Sequence, residues 1–156
     1  MRYSYTYRKF IKDNYYKIFD RIWLATNPNI TIDIVKNNPV MYWNHRALSC
    51  NPSITWATVQ ANPDIEWHYG EMSSNSNITW DIVQANPDKD WDYDRLSHNP
   101  NITWDIVQAN PDENWNYNEL SDNINITWDI VQANPGIPWN YVYMTQNKNI
   151  TLDIIR

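Results

Sequence analysis

The stretch from Asn99 to Asp122, NPNITWDIVQANPDENWNYNELSD, sets the terms for the whole chain, because its pattern returns every 24 residues. Ile30, Ile54, Ile78, Ile102, Ile126 and Ile150 keep that spacing, and so do Trp43, Trp67, Trp91, Trp115 and Trp139. A third ladder runs Ile32, Trp56, Trp80, Trp104, Trp128 and Leu152. A fixed period between about 20 and 50 residues means that one unit cannot bury its apolar face alone and must use its neighbours. No insertion breaks the phase, as a grafted catalytic loop would be expected to do. With Trp 10 and Tyr 11 but Phe 2, the core has to be built largely from amphipathic rings that bury large areas each.

Each repeat divides into two halves of similar design. In the first, Thr103 is a helix N-cap and Ile102 can staple against Val107; in the second, Asn116 caps and Trp115 can staple against Leu120. Each half runs to an asparagine, Asn110 or Asn123, a position commonly followed by proline, which disfavours helix in the residue before it. The spacing predicts helices of about two turns, too short to persist without tertiary packing. Asp33, Asp81, Asp105, Asp129 and Asp153 fall in the first turn, where a carboxylate complements the helix dipole, whereas Ala57 and Thr58 weaken the corresponding start. A β-solenoid is the competing reading, since Ile102-Thr103-Trp104 also suits a strand. Capping residues, the Gln-Ala continuation and only two glycines, Gly70 and Gly136, favour helix. The expected fold is an all-α solenoid of 24-residue two-helix repeats over 27–156, the last incomplete, with an N-terminal amphipathic cap helix over 1–26.

In that cap, Tyr7, Phe10, Ile11, Tyr15, Ile18, Phe19 and Ile22 recur at helical spacing. Phe10, Ile11, Asn14 and Phe19 echo Ile34, Val35, Asn38 and Trp43, so the cap reads as a degenerate repeat. Residues 1–21 hold six basic side chains against two acidic, and the remainder six against sixteen, within a formal net charge of −6. The acidic body disfavours nucleic acid, which needs a basic surface. Neither a leader nor an apolar run near the ~18 residues of a membrane span is present, so a cytoplasmic protein without membrane contact is expected.

Residues that carry chemistry elsewhere are better explained here by the repeat. His45, His68 and His98 occupy three different repeat positions, and Cys50 is the lone cysteine, so no metal site, cofactor or catalytic residue is expected. Asp88, Asp90, Asp92 and Asp94 could attract a hard cation, but Asp92 serves as a cap and a solvated acidic face is the favoured reading. Five N-x-T sequons, at Asn29, Asn77, Asn101, Asn125 and Asn149, are explained by threonine capping. Two asparagine ladders, Asn27, Asn51, Asn75, Asn99, Asn123, Asn147 and Asn38, Asn62, Asn86, Asn110, Asn134, are expected to satisfy loop backbone groups and to bridge neighbouring repeats. The Trp56, Trp80, Trp104, Trp128 row is a binding stripe if exposed and core if buried; core is the favoured reading.

The run NPNITWDIVQANPDKDWDYDRLSHNP resembles the Asn-Pro- and Trp-rich short tandem repeats of proteins encoded by giant DNA viruses of amoebae, the mimivirus-like group, over residues 27–156. That resemblance implies a viral origin and expression in host cytoplasm, with packaging in a virion as a further option, and transfers no catalytic residues. Ser76 and Ile124 depart from its Asn-Pro step. The expected function is a non-enzymatic scaffold for protein–protein interaction with a host or viral partner. Its candidate surface is the set of variable positions Lys89, Asp90, Asp94, Arg95, Glu113, Asn114, Asn118 and Glu119. The alternative is a structural protein forming homo-oligomers through its solenoid ends, with Ile150, Leu152, Ile154 and Ile155 as the adhesive residues.

Overall fold

The computed structural model describes Lys9 and residues 21–151. All regular elements among the described residues are helices, and no strand occurs among them. In chain order they are α1 (Arg21–Thr26), α2 (Ile32–Lys36), α3 (His45–Ser49), α4 (Trp56–Gln60), α5 (Tyr69–Met72) and α6 (Trp80–Gln84). They continue with α7 (Tyr93–His98), α8 (Trp104–Ala109), α9 (Tyr117–Asp122), α10 (Trp128–Ala133) and α11 (Tyr141–Met144). From α2 onward the helix starts fall alternately 13 and 11 residues apart, giving two helices per 24-residue period. The strand-like triplet Ile102-Thr103-Trp104 is thus an entry to a helix: Thr103 is extended at φ −99°, ψ 164°, and the chain turns helical at Trp104.

The helices are shorter than the two turns expected, at four to six residues each. Proline explains the limit in α8 and α10. Asn110 (φ −131°, ψ 59°) and Asn134 (φ −128°, ψ 60°) each precede a proline, whose ring excludes the α conformation from the residue before it. Side-chain caps hold most N-termini: Thr55, Thr103 and Thr127 accept from the third residue on, and Asn44, Asp92, Asn116 and Asn140 do the same in the second halves. Thr31, Thr79 and His68 make no such bond. Asp33, Asp81, Asp105 and Asp129 lie exposed in first turns, as expected.

By contact density the chain divides into two compact units, Met1–Asn77 and Ile78–Arg156. In the first, α1 packs on α3 and α3 on α5; in the second, α7 packs on α9 and α9 on α11. The second-half helices therefore form the spine within each unit. The apolar face expected for the cap is corrected at its one described member, because Ile22 is 56% exposed while Ala25 is fully buried. The physical reason is register: Arg21, Leu24 and Ala25 stand 24 residues before His45, Leu48 and Ser49, so α1 is itself a second-half helix of the array. Tyr7, Phe10, Ile11, Tyr15, Ile18 and Phe19 lie outside the described residues.

Hydrogen bonds from buried side chains join successive repeats inside each unit. In the second unit the Asn123 amide donates to the carbonyls of Ser97 (2.7 Å), Asn99 (3.1 Å) and Ile102 (3.4 Å), and its Oδ1 accepts from the Asn125 N–H (2.8 Å). Asn147 repeats this on Ser121, Asn123 and Ile126, and in the first unit Asn51 does so on Ala25, Asn27 and Ile30. Asn75 acts on Ser49, Asn51 and Ile54 in the same way. The bridging role expected of this ladder is what the structure contains. Members of the second ladder stay within their own repeat: Asn110 Nδ2 donates to Ile106 O (2.7 Å), and Asn110 O accepts from Trp115 Nε1 (2.8 Å). Each such bond removes the cost, about 1–3 kcal/mol, of burying a polar group without a partner.

A serine ladder that the sequence pattern does not flag completes the frame. Ser97 Oγ donates to Tyr93 O (2.7 Å) and accepts from the Asn116 N–H of the next repeat (2.9 Å), and Ser121 does the same for Tyr117 (2.6 Å) and Asn140 (2.9 Å). Around these polar rails lie Ile102, Leu96, Leu120 and Ile126, each at most 1% exposed. Full burial of such a side chain contributes roughly 1.5–3 kcal/mol.

Candidate functional site

The second unit carries a solvent-open groove of ≈ 430 Å³ where α6, the loop after it and the start of α7 meet the loop before α9. Trp80, Val83 and Gln84 come from α6; Pro87, Lys89, Asp90 and Trp91 from the loop; Tyr93 from α7; and Glu113 from the following repeat. Local rules place each wall. Trp80 is the first residue of α6, directed inward by the extended Thr79 before it, and is 7% exposed. Trp91 is fixed by its Nε1–H to Asn86 O bond (2.9 Å), and the Asp92 cap then turns the chain into α7 so that Tyr93 faces the same concavity.

Aromatic packing stiffens the floor. Trp115 lies behind it, 5.3 Å from Trp80 at an interplanar angle of 46° and 5.4 Å from Tyr93 edge-on at 73°. Such tilted and edge contacts contribute about 0.5–1.5 kcal/mol beyond area burial. The arrangement returns one repeat later as Trp104–Trp139 (5.3 Å) and Tyr117–Trp139 (6.3 Å). The row of first-turn tryptophans is accordingly core at Trp80 and Trp104 and half-buried at Trp56 and Trp128.

Charge gives this step its individuality. Burial, and then the hydrogen bond to the Glu113 carboxylate, hold the Tyr93 hydroxyl protonated above the usual phenol range. At the position of Glu113 the next repeat has Ile137, which offers Tyr117 no carboxylate. Lys89 Nζ pairs with Asp88 Oδ2 at 2.8 Å, and that bond holds the Asp88 carboxyl below its ordinary value. Asp90 is exposed on the rim.

Of the eight variable surface positions, the groove gathers Lys89, Asp90 and Glu113. Asn114 is exposed beside Glu113 in the chain. The others lie on α7 and α9 and are tied to helix caps: Asp94 accepts from Asn116 Nδ2 (2.9 Å), Arg95 pairs with Asp92 (3.0 Å), Asn118 accepts from Asn140 Nδ2 (2.7 Å), and the Glu119 N–H donates to Asn116 Oδ1 (3.4 Å). Of the four aspartates from Asp88 to Asp94, Asp88, Asp92 and Asp94 are thereby divided among separate partners, and Asp90 stands on the rim. Among the described residues no three His, Cys, Asp or Glu side chains form a metal-ligating group. His45 and His68 lie in the first unit, and His98 lies in the second, 3.7 Å from Asp122. Of the residues named for self-association, Ile150 is 8% exposed, and Leu152, Ile154 and Ile155 lie outside the described residues.

Gln84, Pro87 and Tyr93 are site residues that sequence reasoning misses, since all three belong to the constant pattern. Only their nearness to variable Lys89, Asp90 and Glu113 marks them. The sequon asparagines also brace the frame, with Asn125 Nδ2 donating to Pro100 O (2.7 Å) and Ile102 O (2.9 Å), and Asn77 doing the same for Pro52 and Ile54. No described helix is long and apolar enough to cross a membrane. The chain matches no protein-family profile, and no curated protein or solved structure is significantly similar to it.

Proposed function

We propose that the chain is a non-enzymatic α-solenoid scaffold that binds a protein segment in the Trp80–Tyr93 groove. The observation that carries this reading is the meeting of three variable side chains, Lys89, Asp90 and Glu113, over an aromatic floor that the repeat holds constant. A concavity of ≈ 430 Å³ is within the range, about 300–1,000 Å³, of sites that hold a small ligand or a few side chains. By resemblance of its repeats the partner would be a viral or host cytoplasmic protein.

Selection from a displayed random-peptide library tests the reading. Wild-type protein should enrich one sequence pattern, and a Gln84→Arg, Asp90→Arg double variant with an unchanged melting temperature should lose it. Enrichment that is identical for both proteins would move the binding surface away from the groove.

Self-assembly is the second reading, and a different observation favours it. Val40 and Tyr42 in the first unit are 73% and 77% exposed, at repeat positions where the third unit of the pattern carries Asp88 and Asp90. Light scattering over a wide concentration range distinguishes the readings: a constant molar mass supports the binding module, and growth that a Val40→Asp, Tyr42→Asp variant abolishes supports assembly.

A further inference from the structure

We propose that the groove is specific for the guanidinium group of an arginine on a basic protein segment. This inference rests on the binding reading above and names the chemistry of its occupant. Three features of the lining converge on a cation. Trp80, Trp91 and Tyr93 supply aromatic rings, whose faces attract cations through their quadrupoles, most strongly at tryptophan. Asp90 and Glu113 supply carboxylates on the rim and wall. The unit itself is strongly acidic, with twelve Asp and Glu against four Lys and Arg between Ile78 and Arg156.

Lys89 is the one basic side chain in the lining, and its ammonium is matched by the Asp88 carboxylate at 2.8 Å, outside the groove lining. The charges of Asp90 and Glu113 therefore dominate the groove. Glu113 lies near enough to Tyr93 to help keep the phenol protonated, and an ionised carboxylate, with about four lone-pair sites, retains capacity for a further donor.

Among cations the lining favours guanidinium. A planar guanidinium stacks on an indole face while its edge donors pair with carboxylates, so one group uses both kinds of wall at once. A quaternary ammonium would use the rings and leave Asp90 and Glu113 without a hydrogen-bond donor. The primary ammonium of lysine would use the carboxylates but has no plane to stack. Neutral citrulline has nearly the shape of arginine and lacks its charge, which makes it the decisive control.

The test is an NMR titration of the full chain with capped arginine (N-acetyl-arginine amide) at millimolar concentration, beside the same derivatives of citrulline, lysine and trimethyl-lysine. Saturable shifts should appear for arginine at residues 80–93 and 113, and be weaker for the other three. Asp90→Asn and Glu113→Gln should each reduce arginine affinity by about two- to fivefold, the range for partly exposed ion pairs. Glu113→Gln keeps a carbonyl acceptor for Tyr93, and Asp90 lies on an exposed rim, so at least one of the two variants stays folded. Lys89→Gln should strengthen arginine binding by removing a like charge; weaker binding in that variant would overturn the electrostatic account. Equal shifts from citrulline, or none at the groove, overturn the proposal. If the peptide library nevertheless enriches neutral sequences that compete at the groove, the binding reading survives and only the guanidinium assignment fails.

Discussion

Asn123 concentrates the physics of the repeat in one side chain. It is fully buried, bonds three carbonyls of the preceding repeat and turns its own loop through Asn125 N–H. Replacement by alanine leaves several buried backbone groups without this partner, so Asn123→Ala should cost about 3 kcal/mol in chemical unfolding. Asn118 is exposed, and Asn118→Ala should cost under about 0.5 kcal/mol. Similar losses for both would show that the amide ladder does not carry the fold. Tyr93 supplies a pH test. Its proton is held more tightly in the folded chain than in the unfolded one. The resulting stability is present in full below the unfolded-state value of about 10 and is lost as pH rises from there through the folded value. Stability should therefore fall less steeply above pH ~10 in Tyr93→Phe than in wild type; parallel curves would show that neither burial nor Glu113 holds the Tyr93 proton.

Helices of four to six residues exist only because caps, prolines and packing delimit them. Asn116 accepts from both Asn118 N–H and Glu119 N–H, whereas Thr79 makes no cap bond through its side chain. Asn116→Ala should thus cost about 1 kcal/mol or more, and Thr79→Ala clearly less, when melting temperatures are compared. Equal costs would mean that threonine and asparagine are retained for backbone preference alone. The elements are legible in the sequence because capping, stapling and the residue before proline are local signals that need no tertiary context. Helix length is overestimated from sequence most in the four- and five-residue helices, such as Tyr69–Met72 and Tyr141–Met144, whereas Trp104–Ala109 and Trp128–Ala133 stop at the asparagine before proline as expected. The relation of Leu24 and Ala25 to Leu48 and Ser49 is obscured because Ala25 replaces the serine of that ladder. The groove is only half legible: variability marks Lys89, Asp90 and Glu113, but Tyr93 looks like every other tyrosine in the pattern until Glu113 comes within reach.

Across the molecule the repeat keeps frame and surface separate. A constant set of Asn, Ser, Ile, Leu and Trp side chains holds successive repeats together inside each unit, and the positions between them vary without breaking any of those bonds. The variable positions include Lys89, Asp90 and Glu113 at the groove and Asp94, Arg95, Asn118 and Glu119 on α7 and α9, and the exposed Val40 and Tyr42 stand where Asp88 and Asp90 stand two repeats later. The most direct measurement of this separation is a protease-resistance scan of every single substitution from Ile78 to Ile150. Stability losses should recur with a period of 24, peaking at Asn99, Ile102, Leu120, Asn123, Ile126 and Asn147, with minima at Asp88, Asp90, Asn114 and Asn118. A profile without that period, or one as intolerant at the groove rim as at the amide ladder, would contradict the division between a fixed frame and a variable surface.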